Sequence, residues 1–157
     1  MKTKKITALV MAVLLIIALC SCSKSNKKQN VQLSSIMTQI NKECSLDNMI
    51  ALETADQMYK QYEIDAKDIK SFSAEVSSDS LNQNEVVMVE AQSSDAMKRI
   101  KEKLENSYNK KLDQSRDYLP DEYEMIKKCT VSTNGNYVRM FISDNAEKMT
   151  SIYKSYF

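Results

Sequence analysis

Histidine and tryptophan are absent from the 157 residues, and glycine and proline occur once each. Without histidine there is no imidazole general base, no Cys–His or Ser–His pair and no imidazole metal ligand. The single glycine, Gly135, excludes a glycine-rich phosphate loop. No tryptophan is available to stack on sugar rings. Charge of one sign is also scarce: 22 Lys plus Arg stand against 21 Asp plus Glu, a formal net charge of +1. A mixed, near-neutral surface lacks the electrostatic footprint of a nucleic-acid binder, so no nucleic-acid partner is expected.

What the sequence does have begins with Lys2, Lys4 and Lys5, followed by residues 6–19, apolar but for Thr7. A basic end and a short apolar core are the layout of a secretory signal. The run of 14 residues falls short of the ~20 that a permanent membrane-spanning helix needs. The stretch "LCSC" (19–22) then resembles the lipobox of bacterial lipoproteins, in which a Leu and two small residues precede the lipidated Cys. Leu19 and the small Ser21 place Cys22 as that residue. Cys20 fits poorly, because bulky Leu19 would sit directly before it. The resemblance implies a diacylglyceryl group on the Cys22 sulfur, and two chains anchor stably where one does not. Residues 1–21 are therefore expected to be a removed signal, 22–30 a tether, and 31–157 the single working domain. Removing residues 1–21 leaves 136 residues, enough for one real core. It also leaves 19 basic residues against 21 acidic ones.

Apolar spacing predicts the elements of that domain. Leu33, Ile36, Met37, Ile40 and Cys44 recur at helical intervals over residues 32–45. A short helix follows over 54–62, with Ala55, Met58, Tyr59 and Tyr62 on one side. Asp65, with Asp68 three residues on, reads as a cap opening a helical turn. Residues 72–78 and 85–91 alternate as strands. A long helix spans 95–119, capped by Ser94, with Met97, Ile100, Leu104, Tyr108 and Leu112 as its stripe, and Pro120 stops it. Residues 129–133 and 137–143 flank Asn134-Gly135, a strong hairpin signal. A closing helix covers 145–157.

The expected fold is thus α+β: N-terminal helices followed by β-β-α-β-β-α. Its sheet has four antiparallel strands, and the two long helices lie on one face. The second strand is apolar on both sides, so the N-terminal helices are the natural cover for the opposite face. An offset of 52 aligns Val86, Met88, Met97 and Ile100 with Val138, Met140, Met149 and Ile152. Internal duplication and coincidence of strand–helix spacing both explain this, and the spacing does not choose between them. Cys44 and Cys129 both read as core, on opposite sides of the sheet, and are expected to be free and inert.

The pieces "YEIDAKDIKSF" (62–72), "NEVVMVEA" (84–91), "YLPDEYEMI" (118–126) and "GNYVRMFIS" (135–143) carry a further resemblance. Over residues 31–157 the chain resembles an uncharacterised family of small lipoproteins of Gram-positive bacteria with a domain of unknown function. The resemblance implies extracytoplasmic anchoring and brings no catalytic residue with it.

For chemistry, Tyr118, Tyr123, Asn136 and Tyr137 surround the only Pro and Gly and are candidates for an aromatic binding groove. Ordinary packing is the preferred explanation, since tyrosine buries a ring and keeps its hydroxyl wet. Asp121, Glu122 and Glu124 match no calcium loop. No catalytic residue, metal or cofactor is expected. The function expected is a non-enzymatic binding or interaction module, lipid-anchored through Cys22 on the outer face of the cytoplasmic membrane. Its partner is an unidentified protein or small molecule. The alternatives are an envelope-acting enzyme using Asp, Glu and Tyr, or a small solute-binding lipoprotein.

Overall fold

A computed structural model describes residues 31–157. The expected signal, lipobox and tether (residues 1–30) lie outside the described residues. The elements are helix α1 (Leu33–Glu43), strand β1 (Met49–Leu52), helix α2 (Ala55–Tyr62), a 3-10 turn (Ala66–Asp68), and strands β2 (Ile69–Ser77) and β3 (Glu85–Ala91). Helices α3 (Ser94–Tyr118) and α4 (Pro120–Ile126), strands β4 (Thr130–Asn134) and β5 (Tyr137–Ile142), and helix α5 (Ala146–Lys154) complete the chain. All strand pairs are antiparallel, in the order β1-β2-β3-β5-β4. The domain is α+β with five helices and a five-stranded sheet.

The expected sheet of four strands is corrected by β1. It has only four residues, MIAL, and its burial does not alternate, so periodicity does not reveal it. Its register is fixed by pairing, with Met49 opposite Ser77 and Leu52 opposite Ala74. Asn48, at φ 55°, turns the chain into it. The Asn48 carbonyl accepts hydrogen bonds from both the Ser78 amide and hydroxyl, each at 2.8 Å.

Local signals explain most other boundaries. Thr54 and Gln57 form a capping box at the start of α2. Ser93, one residue earlier than expected, caps α3 by accepting from the Ala96 amide at 3.1 Å. Asp65 makes no cap. Tyr59 is exposed rather than packed with Met58 and Tyr62. In the β4–β5 hairpin Asn134 pairs with Tyr137, so the two-residue loop is Gly135-Asn136, one residue beyond the expected corner. Gly135 sits at φ 57° in the first loop position, where a type II′ turn requires glycine.

The second correction concerns the layers. β3 is buried along its whole length, so both faces of the sheet need cover. Cross-strand pairs sort the two faces. Val87 stands opposite Ala74 and Met140, and Val86 stands opposite Glu75 and Phe141. On the first face Ala74, Val87, Val89, Val138, Met140 and Ile142 pack with Met58, Tyr62, Ile100, Leu104 and Ile126 of α2, α3 and α4. On the second, Val86, Met88 and Phe141 pack with Ile36, Met37 and Ile40 of α1 and Met149, Ile152 and Tyr153 of α5. The two long helices therefore lie on opposite faces, not on one. The cause is apolar area: an 11-residue α1 cannot cover the second face alone, and α5 completes it. α5 ends at Lys154, short of 157.

The same layering removes the duplication. A two-fold rotation that carries β3 onto its antiparallel neighbour β5 leaves each face on its own side. Yet Val86 and Met88 lie in the layer opposite their partners Val138 and Met140, and Ile100 lies opposite Ile152. Shared spacing without shared placement is coincidence of pattern.

Cys44 belongs to the second layer and Cys129 to the first; both are buried and free. Burial pushes both thiols above their ordinary pKa, which keeps them protonated and unreactive.

Candidate functional site

Ion pairing among the buried residues shows one exception. Three carboxylates are buried: Asp68, Glu85 and Glu90. Each has a basic partner. Arg99 grips Asp68 with Nε to Oδ2 at 2.9 Å and Nη2 to Oδ1 at 2.6 Å. Those bonds hold the Asp68 carboxyl below the usual range. Lys70 donates to Glu90 at 2.6 Å and the Ser71 hydroxyl adds a bond at 3.0 Å. Burial opposes the charge on Glu90, but these bonds and the lysine charge outweigh it and keep its pKa low. Lys111 reaches Glu85 at 3.0 Å and Gln83 Oε1 at 2.8 Å, and the Tyr62 hydroxyl donates to Glu85 at 3.2 Å. Here burial prevails over Lys111, and the Glu85 carboxyl is raised. Tyr62 is raised too, by burial and by the neighbouring carboxylate.

Arg139, in the middle of β5, is the one buried cation among the described residues, with 9% of its surface exposed. No carboxylate lies within 4 Å of it among the described residues. Its guanidinium is stacked near two rings, 5.1 Å from the centre of Phe141 and 5.3 Å from that of Tyr153. Nη1 donates to the Thr150 hydroxyl at 3.0 Å, the sole hydrogen bond of its side chain among the described residues. Burial lowers its pKa. Each stacked ring contributes about 0.5–2 kcal/mol. Burying an ion costs several kcal/mol, so the stack alone does not offset it.

Sequence and packing put Arg139 there. Alternation along β5 turns Val138, Met140 and Ile142 to the first face and Arg139 and Phe141 to the second. Arg139 stands opposite Met88 on one side and Ser132 on the other. α5 covers the Met88 side, and a groove of about 240 Å3 remains between α5 and the β4–β5 face. Lys128, Thr130, Arg139, Glu147 and Thr150 supply its polar lining. The one fully buried side-chain polar atom without a partner among the described residues is Tyr153 Oη. Arg139 itself lines the groove, and Nη1 is the only one of its side-chain nitrogens with a hydrogen-bond partner among the described residues. Burial pushes the Tyr153 hydroxyl up to about 12.

The expected aromatic groove is not assembled. Tyr118, at the end of α3, is 84% exposed. Tyr123, on α4, lies under Arg116 and Lys127, at 5.9 and 5.1 Å from its ring centre. Asn136 and Tyr137 sit at the other end of β3. The Asn136 carbonyl accepts from the Ala91 amide, Tyr137 pairs with Glu90, and its ring meets Phe157 edge-on at 4.9 Å. The α4 end is tied instead to the start of β3, where Glu122 accepts from the Gln83 amide at 2.8 Å. Glu124 is spent on Lys127, and no cluster of metal-ligating residues occurs among the described residues. Cys22 lies outside them. Arg139 was the residue that sequence reading passed over; its signal was a lone charge inside the apolar run "YVRMFI".

No helix among the described residues is long and apolar enough to cross a membrane. The profile of a domain of unknown function, DUF4358, matches residues 42–143, from the end of α1 through β5. The chain belongs to this family. No curated protein and no solved structure matches it. The family match takes in the sheet, α3 and Arg139, and stops before α5, which supplies the other wall of the groove.

Proposed function

We propose that the protein is an exported lipoprotein of the Gram-positive type. A diacylglyceryl group on Cys22 anchors it to the outer face of the cytoplasmic membrane. There residues 31–157 act as a non-enzymatic binding module. One observation carries the anchoring: basic Lys2, Lys4 and Lys5, the apolar run 6–19, and Leu19 and Ser21 placed correctly before Cys22. The polar stretch "SKSNKKQN" (23–30) suits a link between anchor and domain. The binding reading is supported by the buried acids. Asp68, Glu85 and Glu90 are each engaged by a basic side chain, as structural ion pairs are. The groove beside Arg139 gathers polar side chains around a buried guanidinium that has no acidic partner among the described residues.

The test is to express Cys22→Ala and Cys20→Ala separately, with membrane fractionation and lipid labelling. Cys22→Ala is expected to abolish labelling and release the protein from the membrane, while Cys20→Ala leaves both unchanged. The reverse pattern would assign the lipid to the other cysteine, and labelling of neither form would remove the anchoring claim.

A further inference from the structure

We propose that the groove between α5 and the β4–β5 face binds the oxyanion of a small ligand, a carboxylate or a phosphate group, with Arg139 as its principal contact. This gives the binding reading above a ligand class. It rests on that reading for where the ligand is met, and the groove can be tested without the anchor.

The contrast in pairing is the first argument. Asp68, Glu85 and Glu90 show that this chain supplies a counter-charge wherever it buries an acid. Arg139 receives none, although β5 sits between two strands that could have carried one: its cross-strand neighbours are Met88 and Ser132. The second argument is preorganisation. Phe141 and Tyr153 hold the guanidinium against their rings, and Thr150 holds one nitrogen. A planar fork with a fixed plane loses little freedom when it takes two oxygens of a carboxylate or phosphate. The third is the lining. Lys128 adds a second positive charge, against the single acid Glu147, and the hydroxyls of Thr130 and Thr150 can donate to oxygens that the arginine does not reach. The net charge of these ionic lining groups is +1, which suits an anion. At about 240 Å3 the groove takes a small molecule or one headgroup, not a polymer chain.

The chain has three arginines, Arg99, Arg116 and Arg139, so their side-chain Nε–H signals can be followed by NMR in the full chain, labelled with 15N and held in detergent. Inorganic phosphate and acetate are titrated separately at constant ionic strength. The Arg139 signal is expected to shift saturably, with Arg99 and Arg116 unmoved. Lys128→Gln, an exposed change, is expected to weaken the response about threefold or more, and Thr150→Val likewise, as loss of a charge or a charge-assisted bond predicts. Phosphate acting at lower concentration than acetate selects the tetrahedral anion, and the converse selects the planar one; either supports the site. A soluble short-chain phosphatidylglycerol then compares a lipid headgroup with free phosphate, and the tighter of the two names the source. No saturable Arg139 shift with any probe, or all three arginines moving together, would overturn the proposal. Because the assay needs neither export nor Cys22, its failure is distinguishable from failure of the anchoring claim.

Discussion

Lys111→Met is expected to destabilise the fold by about 3–5 kcal/mol at pH 7, the cost of stripping one partner from a buried ion pair. The lysine is the one basic group on Glu85, whose side chain is 3% exposed, and only the neutral Tyr62 and Gln61 would remain. Burial already raises the Glu85 carboxyl above its ordinary 4.5. A group whose folded pKa is raised adds stability below its unfolded pKa and loses it as pH rises through the folded one. Removing Lys111 raises the folded value further, so the penalty must shrink as pH falls through these raised values, where buried Glu85 takes up its proton. Asp68 behaves oppositely: its lowered pKa gives stability above its unfolded value that is lost as pH falls through the folded one. Because both variant and parent carry Asp68, that effect cancels in their difference. Urea unfolding of the two at pH 7 and pH 4 makes the comparison, and Glu85→Gln added to Lys111→Met is expected to recover most of the loss. An equal loss at both pH values would show that Glu85 is not the cause.

Leu104→Ala is expected to cost about 2–5 kcal/mol, the range for a well-packed core leucine. Leu104 is fully buried among Ile100, Val87, Met140 and the rest of the first layer. Ile40, equally buried in the second layer, is expected to cost a similar amount as Ile40→Ala. The sheet separates them and they share no cluster, so the double variant should equal the sum within about 0.5 kcal/mol. A Leu104 effect within error of zero, or strong coupling with Ile40, would contradict the two-layer description.

The residues most legible in the sequence were those governed by short-range rules. Periodicity located α1, α2, α3, β2 and β3, Pro120 stopped α3, and Gly135 marked the hairpin. β1 escaped because four apolar residues fit a strand or a helix equally, and only pairing with Ala74–Ser77 decides it. The layer of α5 escaped because it is set by which face α1 leaves uncovered, a long-range quantity. Sequence alternation assigned Val86 and Val87 to opposite sides of β3, but matching β3 to β5 needs the register, and that placed Val138 with Val87 rather than with Val86. The tyrosines stood out by type and are scattered in space. Arg139 did not stand out, because an arginine in a strand usually faces water. Its importance comes from α5 folding over it and from the absence of an acid beside it.

The anchored binding module is tested most directly by the intact mass of the protein extracted from membranes. Thiols are alkylated beforehand in denaturant without reductant. The predicted species begins at Cys22, carries a diacylglyceryl group on that sulfur, and gains two labels, at Cys44 and Cys129, which the fold keeps apart and free. A species that still begins at Met1, begins at another residue, or lacks lipid would contradict the account of how the protein is held.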